Sequence, residues 1–298
     1  MNKTSIAWAT HTANPLRGCS RVSKECDHCY AERHAWRFHG PGQPYEGLVR
    51  MTKKGPRWTG KIWMDPKPIG RGLLRPERLL SKAARRGERI FINSTSDLWH
   101  PAVPFEFIDR VFGAVVDASQ HIHMILTKRP ERAIEWAYST RERTALVERG
   151  SHVWTGVSAG THRALLKRWW HFHRWPSGNK WLSAEPLLEP LQLLRGLLEL
   201  RLAHSPARPA WVVGGGESGP LAEVCHLEWL EELLADCEDL GIVPFIKQVG
   251  RRPMSVRLGP ESSHRALAPM PYPVRHPKGE DPDEWPPHLR VRRFPFPV

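Results

Sequence analysis

The chain has 298 residues, 40% hydrophobic and 25% charged, the profile of an ordinary globular protein of one large domain or two modest ones. No run of about 18 apolar residues occurs, which excludes a membrane-spanning helix. The net charge of +13, from 44 Lys and Arg against 31 Asp and Glu, favours a polyanionic partner such as nucleic acid or a nucleotide-bearing substrate, although the cations read as scattered and also fit GC-rich coding.

The opening MNKTSIAWATHTANP lacks the apolar stretch of a signal peptide, so a cytoplasmic, thiol-reducing setting is expected. Next comes GCSRVSKECDHCYAERHAW (18–36), which sets Cys19, Cys26 and Cys29 within eleven positions ahead of a helical pattern. Residues 40–88 are rich in Gly, Pro, Lys and Arg and read as an insertion, with Trp58 and Trp63 either pinning the loop or stacking on bases.

Six short apolar runs follow, rich in Ile, Val, Phe and Trp and each ending in turn chemistry: 89–101, 121–130, 152–160, 180–190, 210–220 and 243–250. Helical patterns alternate with them at 105–119, 130–150, 161–175 and 226–242, the second opening on Pro130 and the last closing at Gly241. Alternating strands and helices predict a parallel sheet with right-handed crossovers, here a partial or full parallel β/α barrel. The barrel would span 1–250 with 40–88 as a rim insertion. The proline-rich stretch 251–298 would pack on it through Trp285, Leu289, Val291 and Phe294.

Polar residues recur just after each run: Ser94, Ser96 and Asp97; Thr127, Lys128 and Arg129; Ser158; Ser183 and Glu185; Glu217 and Ser218; Lys247 and Gln248. In a β/α barrel these positions share the C-terminal rim, where active sites are built. Strand ends facing water carry polar residues too; six in a row favour a site.

The cysteines admit three readings. Disulfides suit a reducing compartment poorly. Zinc needs four ligands and would draw a fourth from His28, His34 or a distant histidine. Three thiolates on a four-iron cluster would leave one iron open, the mark of a reactive centre. Cys225 and Cys237 flank a helical pattern and read as core.

The cysteine segment resembles the radical S-adenosylmethionine signature, with C-x6-C-x2-C in place of the commonest C-x3-C-x2-C, His28 at the usual aromatic position and Tyr30 after Cys29. With FINSTSDLWH, LTKRPER, SAEPLL, GGGESGP, PFIKQVG and the EWPPHLRVRRFP tail, nearly the whole chain resembles the phage-associated three-cysteine-motif family of radical-SAM-like proteins. That resemblance implies a radical-SAM-type barrel, a 4Fe-4S cluster on Cys19, Cys26 and Cys29, and S-adenosylmethionine cleaved to a 5′-deoxyadenosyl radical. It also implies an electron donor such as flavodoxin or ferredoxin. It implies no particular reaction.

By the same resemblance Asp97 would meet the cofactor's amino group, and Lys128 or Arg129 its carboxylate. Ser158 would bond ribose or carboxylate, with Ser94 and Ser96 beside the acid. Read from the residues themselves, Gly215 within GGGES would let backbone approach a ligand, and Glu185 and Glu217 would supply hydrogen bonds to substrate or cofactor or form ordinary rim salt bridges. Two other readings stay open: a zinc-stabilised nucleic-acid-binding protein, and a barrel hydrolase using Asp97, Glu185 and Glu217 around a divalent metal.

Overall fold

A computed structural model describes residues 2–65, 87–257 and 265–297. The chain is mixed α/β with a mostly parallel central sheet, and it divides into two compact units, Met1–Gly156 with Arg174–Asn179 and Val157–His173 with Lys180–Val298. The boundary between the units falls inside one strand.

In the first unit, β1 (Asn2–Lys3) pairs antiparallel with β2 (His11–Ala13). Next come β3 (Leu16–Arg17), α1 (Tyr30–Arg37), the hairpin β4 (Val49–Thr52) and β5 (Gly55–Trp58), and β6 (Trp63–Met64), which pairs with β3. The parallel strands β7 (Arg89–Ile92) and β8 (Ile122–Thr127) continue the sheet from β2. The register sets His11 beside Ile90 and Arg89 beside Ile122. The three-residue β2 is too short to show a periodicity. It supplies the parallel strand that precedes the cysteine segment.

Helix α2 (Phe105–Asp117) buries Phe107, Ile108, Val111, Phe112 and Val115, the helical spacing read from the sequence. The single helix predicted over 130–150 is two, α3 (Pro130–Tyr138) and α4 (Arg141–Arg149). Thr140 makes the break: its hydroxyl accepts from the Arg143 amide at 3.3 Å and caps the second helix. Strand β9 (Val153–Ser158) crosses the boundary between units.

The second unit contains α5 (His162–Phe172), β10 (Lys180–Ala184), α6 (Leu193–Glu199), β11 (Trp211–Gly215), β12 (Cys225–His226), α7 (Leu227–Asp239), β13 (Val243–Gln248), β14 (Pro253–Arg257) and β15 (Arg265–Pro271). β10, β11 and β13 are parallel neighbours. β12, β14 and β15 make a small separate sheet. Residues beyond 250 belong to this unit: Trp285 and Leu289 are fully buried, the Ile246 amide donates to the Val291 carbonyl at 2.7 Å, and the Phe294 ring packs tilted on Trp211 and edge-on to Phe245. Among the described residues no strand set closes into a ring, so the full-barrel form of the expectation is not what the strands make.

Candidate functional site

The expected site residues fall into two groups, one in each unit. The first lies where β3, β7 and β8 end. Gly18 opens the cysteine segment with φ +89°, and a Cβ there would lie 2.3 Å from the Lys61 carbonyl oxygen, so only glycine fits. A parallel bridge from Gly18 to Ser96 ties the segment to the loop after β7.

Arg129, directly after β8, is the hub. Its Nη1 donates to Asp97 Oδ2 at 2.9 Å and lies 3.8 Å from Cys19 Sγ. Its Nη2 donates to the Ser20 carbonyl at 2.8 Å and to Ser20 Oγ at 2.9 Å. Asp97 is equally committed. Oδ1 accepts from Thr127 Oγ1 at 2.7 Å and the Trp99 amide at 3.1 Å, and Oδ2 also accepts from the Lys128 amide at 3.1 Å. Four donors fill the acceptor capacity of a carboxylate. Asp97 is therefore a clamp holding β8 to the loop after β7, and not the open acceptor the sequence suggested. Ser94 and Ser96 are also turned inward, donating to Asn14 Oδ1 at 3.2 Å and the Leu16 carbonyl at 2.9 Å.

Lys128 differs from its neighbours: its ammonium has no hydrogen-bond or ion-pair partner among the described residues. It is an unspent cation next in sequence to Arg129, whose guanidinium reaches Cys19.

The thiols interact. Burial pushes Cys19 up to about 12; the charges of Asp97 and Cys29 add to the rise, and Arg129 opposes it. Burial also raises Cys29, with Cys26 adding and the amides of Glu32 and Ala31 opposing. Cys19 and Cys29 pack on one small core of Ala31, Ala35, Tyr45, Leu48, Val49 and Trp58. Trp58 is thereby excluded from base stacking, while Trp63 lies under the Arg17 guanidinium at 4.2 Å. The rest of the predicted rim insertion, 66–86, lies outside the described residues.

Three residues that motif reading passed over fix this segment. Glu32, 1% exposed, accepts from Arg21 Nε at 3.1 Å and Nη2 at 2.6 Å, from the Trp58 amide at 3.0 Å and from Arg57 Nη1 at 3.4 Å. His100 is driven down to about 4, by burial first and then by the nearby Arg129. Its Nδ1 accepts from the Ala102 amide at 3.2 Å, so the neutral ring carries its proton on Nε2 and donates to Ser20 Oγ at 2.8 Å. The sequence signal for Arg21 and Glu32 is their closeness to the cysteines, two after Cys19 and three after Cys29, and His100 closes the FINSTSDLWH motif.

In the second unit Ser158 Oγ donates to the Glu185 carbonyl at 2.9 Å. The Glu185 carboxylate pairs with Lys247 Nζ at 2.8 Å and accepts weakly from Ser183 Oγ at 3.4 Å. A Cβ on Gly215 would press on Glu185 Oε1 and the Gln248 carbonyl, both at 3.1 Å. One on Gly216 would meet the Val249 carbonyl at 2.6 Å, and one on Gly214 would meet Leu233 at 2.6 Å. The glycines thus admit the chain's own neighbours. Glu217 Oε2 accepts from the Glu223 amide at 2.8 Å, closing its own loop.

A family model described as "Protein of unknown function (DUF5131)" matches residues 3–272. The chain belongs to that family. No curated protein and no solved structure matches it. The DUF5131 membership names no chemistry, so the donor groups themselves carry the reading.

Among the described residues no three His, Cys, Asp or Glu side chains converge on one point as ligands of a single ion. A zinc ion demands such convergence. A four-iron cluster instead spreads its thiolates over separate irons, so the sulfurs need only face one volume. Cys19, Cys26 and Cys29 lie within eleven positions of one segment, and Cys19 and Cys29 pack on the same small core. They are the right ligand type, electrostatically coupled through Cys29, and a guanidinium stands over one of them.

Proposed function

We propose that this DUF5131 member is an iron–sulfur radical S-adenosylmethionine enzyme, acting on a nucleic acid or nucleotide-like substrate, with an open β/α barrel of the radical SAM type. The observation that carries the reading is the bonding of Arg129 to Cys19, Ser20 and Asp97 together. It seats a coupled three-cysteine segment against the C-terminal ends of neighbouring parallel strands. Active sites of β/α sheets are built at that edge.

Cys19, Cys26 and Cys29 would hold a 4Fe-4S cluster, which when bound supplies an open iron for S-adenosylmethionine and one electron for its cleavage. The chain's own residues prepare that place. Arg129 offsets thiolate charge at Cys19, and binding there must release the thiol protons that burial retains. His100 and Ser20 fix the loop without adding charge. Lys128, without a partner among the described residues, is a cation free to meet a carboxylate. Asp97 acts as a positioning residue through Arg129, and the Glu185–Lys247 pair is a second polar group at the strand ends of its own unit.

The test is anaerobic reconstitution with iron and sulfide, then electron paramagnetic resonance of the reduced protein with and without S-adenosylmethionine. A four-iron signal that shifts with the cofactor and is lost in Cys26→Ala is the expected result. A protein that takes up one zinc tightly and no cluster overturns the reading.

A further inference from the structure

Nearly all the surplus charge sits at one end of the chain. Residues 1–89 hold 19 Lys and Arg against seven Asp and Glu, a net +12, while residues 90–298 hold 25 against 24, a net +1. Residues 66–86, outside the described residues, carry +6 of that surplus, and the rest of 1–89, which includes the cysteines, carries the other +6, so the cations are less scattered than the whole sequence suggests.

Within that stretch, α1 packs on the β4–β5 hairpin through Ala31, Ala35 and Glu32, leaving Tyr30, His34 and Arg37 outward. Lys24, Arg37, Arg50, Lys53, Lys54 and Lys61 are exposed, and among the described residues none has an ion-pair partner. The exposed acids nearby are already engaged: Asp27 with Arg21, and Glu46 with the Gly42 amide. Large apolar groups are exposed in the same stretch, namely Tyr30 at 50%, Phe38 at 43%, Met51 at 52% and Trp63 at 37%. The Tyr30 hydroxyl donates to the Ser94 carbonyl, Trp63 lies against Arg17 and Phe38 beside His34, yet all three rings keep more than a third of their surface in water among unpaired cations. That is the composition of a surface that tracks phosphates and stacks bases.

We infer that the exposed side of the α1–β4–β5 module binds single-stranded nucleic acid and holds it beside the cysteine segment. The single strand follows from the aromatics, because the bases of a duplex are already stacked on one another. The small core that carries the module also seats Cys19 and Cys29, so a strand bound here lies next to the proposed reactive centre. The inference deepens the proposed function, on which its catalytic meaning rests; the binding itself needs no cluster.

The experiment uses the full iron-free chain and a fluorescein-labelled 20-nucleotide oligo-dT, with its oligo-dA duplex as comparison, read by anisotropy across a salt series. The single strand should bind more tightly than the duplex. The triple variant Arg50→Gln, Lys53→Gln, Lys54→Gln should bind about tenfold or more weakly at low salt, with the log–log salt slope smaller by roughly 2, at about 0.7 per lost phosphate contact. Phe38→Ala should weaken binding by about fivefold or more with the slope unchanged, the mark of lost stacking. Both variants keep surface positions, and wild-type melting temperatures verify that they fold. No binding by the wild-type chain, a preference for the duplex, or a triple variant with wild-type affinity and slope overturns the inference. Those results leave the cluster untouched, and a missing cluster signal leaves this binding untouched, so the two failures are told apart.

Discussion

Replacing Glu32 by Gln should loosen the cysteine segment more than any surface change near it. The carboxylate is 1% exposed and holds three parts of the first unit: Arg21 from the cysteine segment, Arg57 and the Trp58 amide from β5, and α1, on which it sits. Gln preserves the shape but removes the charge and turns an NH2 toward a guanidinium. Breaking a buried ion pair on one side costs about 3–5 kcal/mol. Arg21 and Arg57 are 27% and 18% exposed and can recover some hydration, which places the loss near the low end, about 3 kcal/mol. For a chain of this size that corresponds to a melting temperature roughly 5 °C lower. Calorimetry reads the shift, and the native-state rate of Cys29 with a thiol reagent reads the local effect, since that thiol packs on the same core. A cycle with Arg21→Gln should show a coupling of about 1–3 kcal/mol. A Glu32→Gln protein that melts within a degree of wild type, with unchanged thiol kinetics, would refute the account of the carboxylate as the tie.

The buried His123, driven down to about 3 by burial, stays neutral in the folded chain while its unfolded counterpart protonates below about 6.5, so its contribution is intact above that pH and falls away below it. By pH 5 the loss is about 2 kcal/mol, and urea midpoints between pH 7.5 and 5 should flatten in His123→Leu. Gly18→Ala places a methyl against the Lys61 carbonyl at a left-handed φ; it should cost about 2 kcal/mol or more in melting and cut the iron retained on reconstitution. Lys128→Gln should leave stability within about 0.5 kcal/mol while weakening S-adenosylmethionine binding to the reconstituted protein by calorimetry; unchanged affinity would remove Lys128 from the cofactor's contacts.

Much of the fold was visible as periodicity. The six apolar runs are strands and the four helical patterns are helices, because core-facing spacing survives into the structure wherever an element exceeds about four residues. β2, three residues long, leaves no such trace, and α6 (LLRGLLE) has apolar residues on most of its turns with Gly196 in its middle, so it shows no clean helical stripe. The break between α3 and α4 was written in Ser139-Thr140, a cap that competes with helix continuation. Site roles were harder to read, because a residue's type does not reveal whether its capacity is already used. Asp97 looks like a ligand acceptor in the sequence, yet Thr127, Trp99, Lys128 and Arg129 consume it. The glycines of GGGES do mark close approach, but the approach is to Leu233, Val249 and Glu185. The charge concentration needed only a running count along the chain, which a whole-chain total conceals.

That concentration has a kinetic consequence. A field from the net +6 that the described residues of 1–89 carry acts on a polyanion before any side chain touches it, and at low ionic strength it reaches a few tens of ångströms. The torque on the diffusing chain would turn the cysteine-bearing residues toward the partner first. Productive encounters would then outnumber random ones, and raising the salt would slow arrival before it altered what happens after docking.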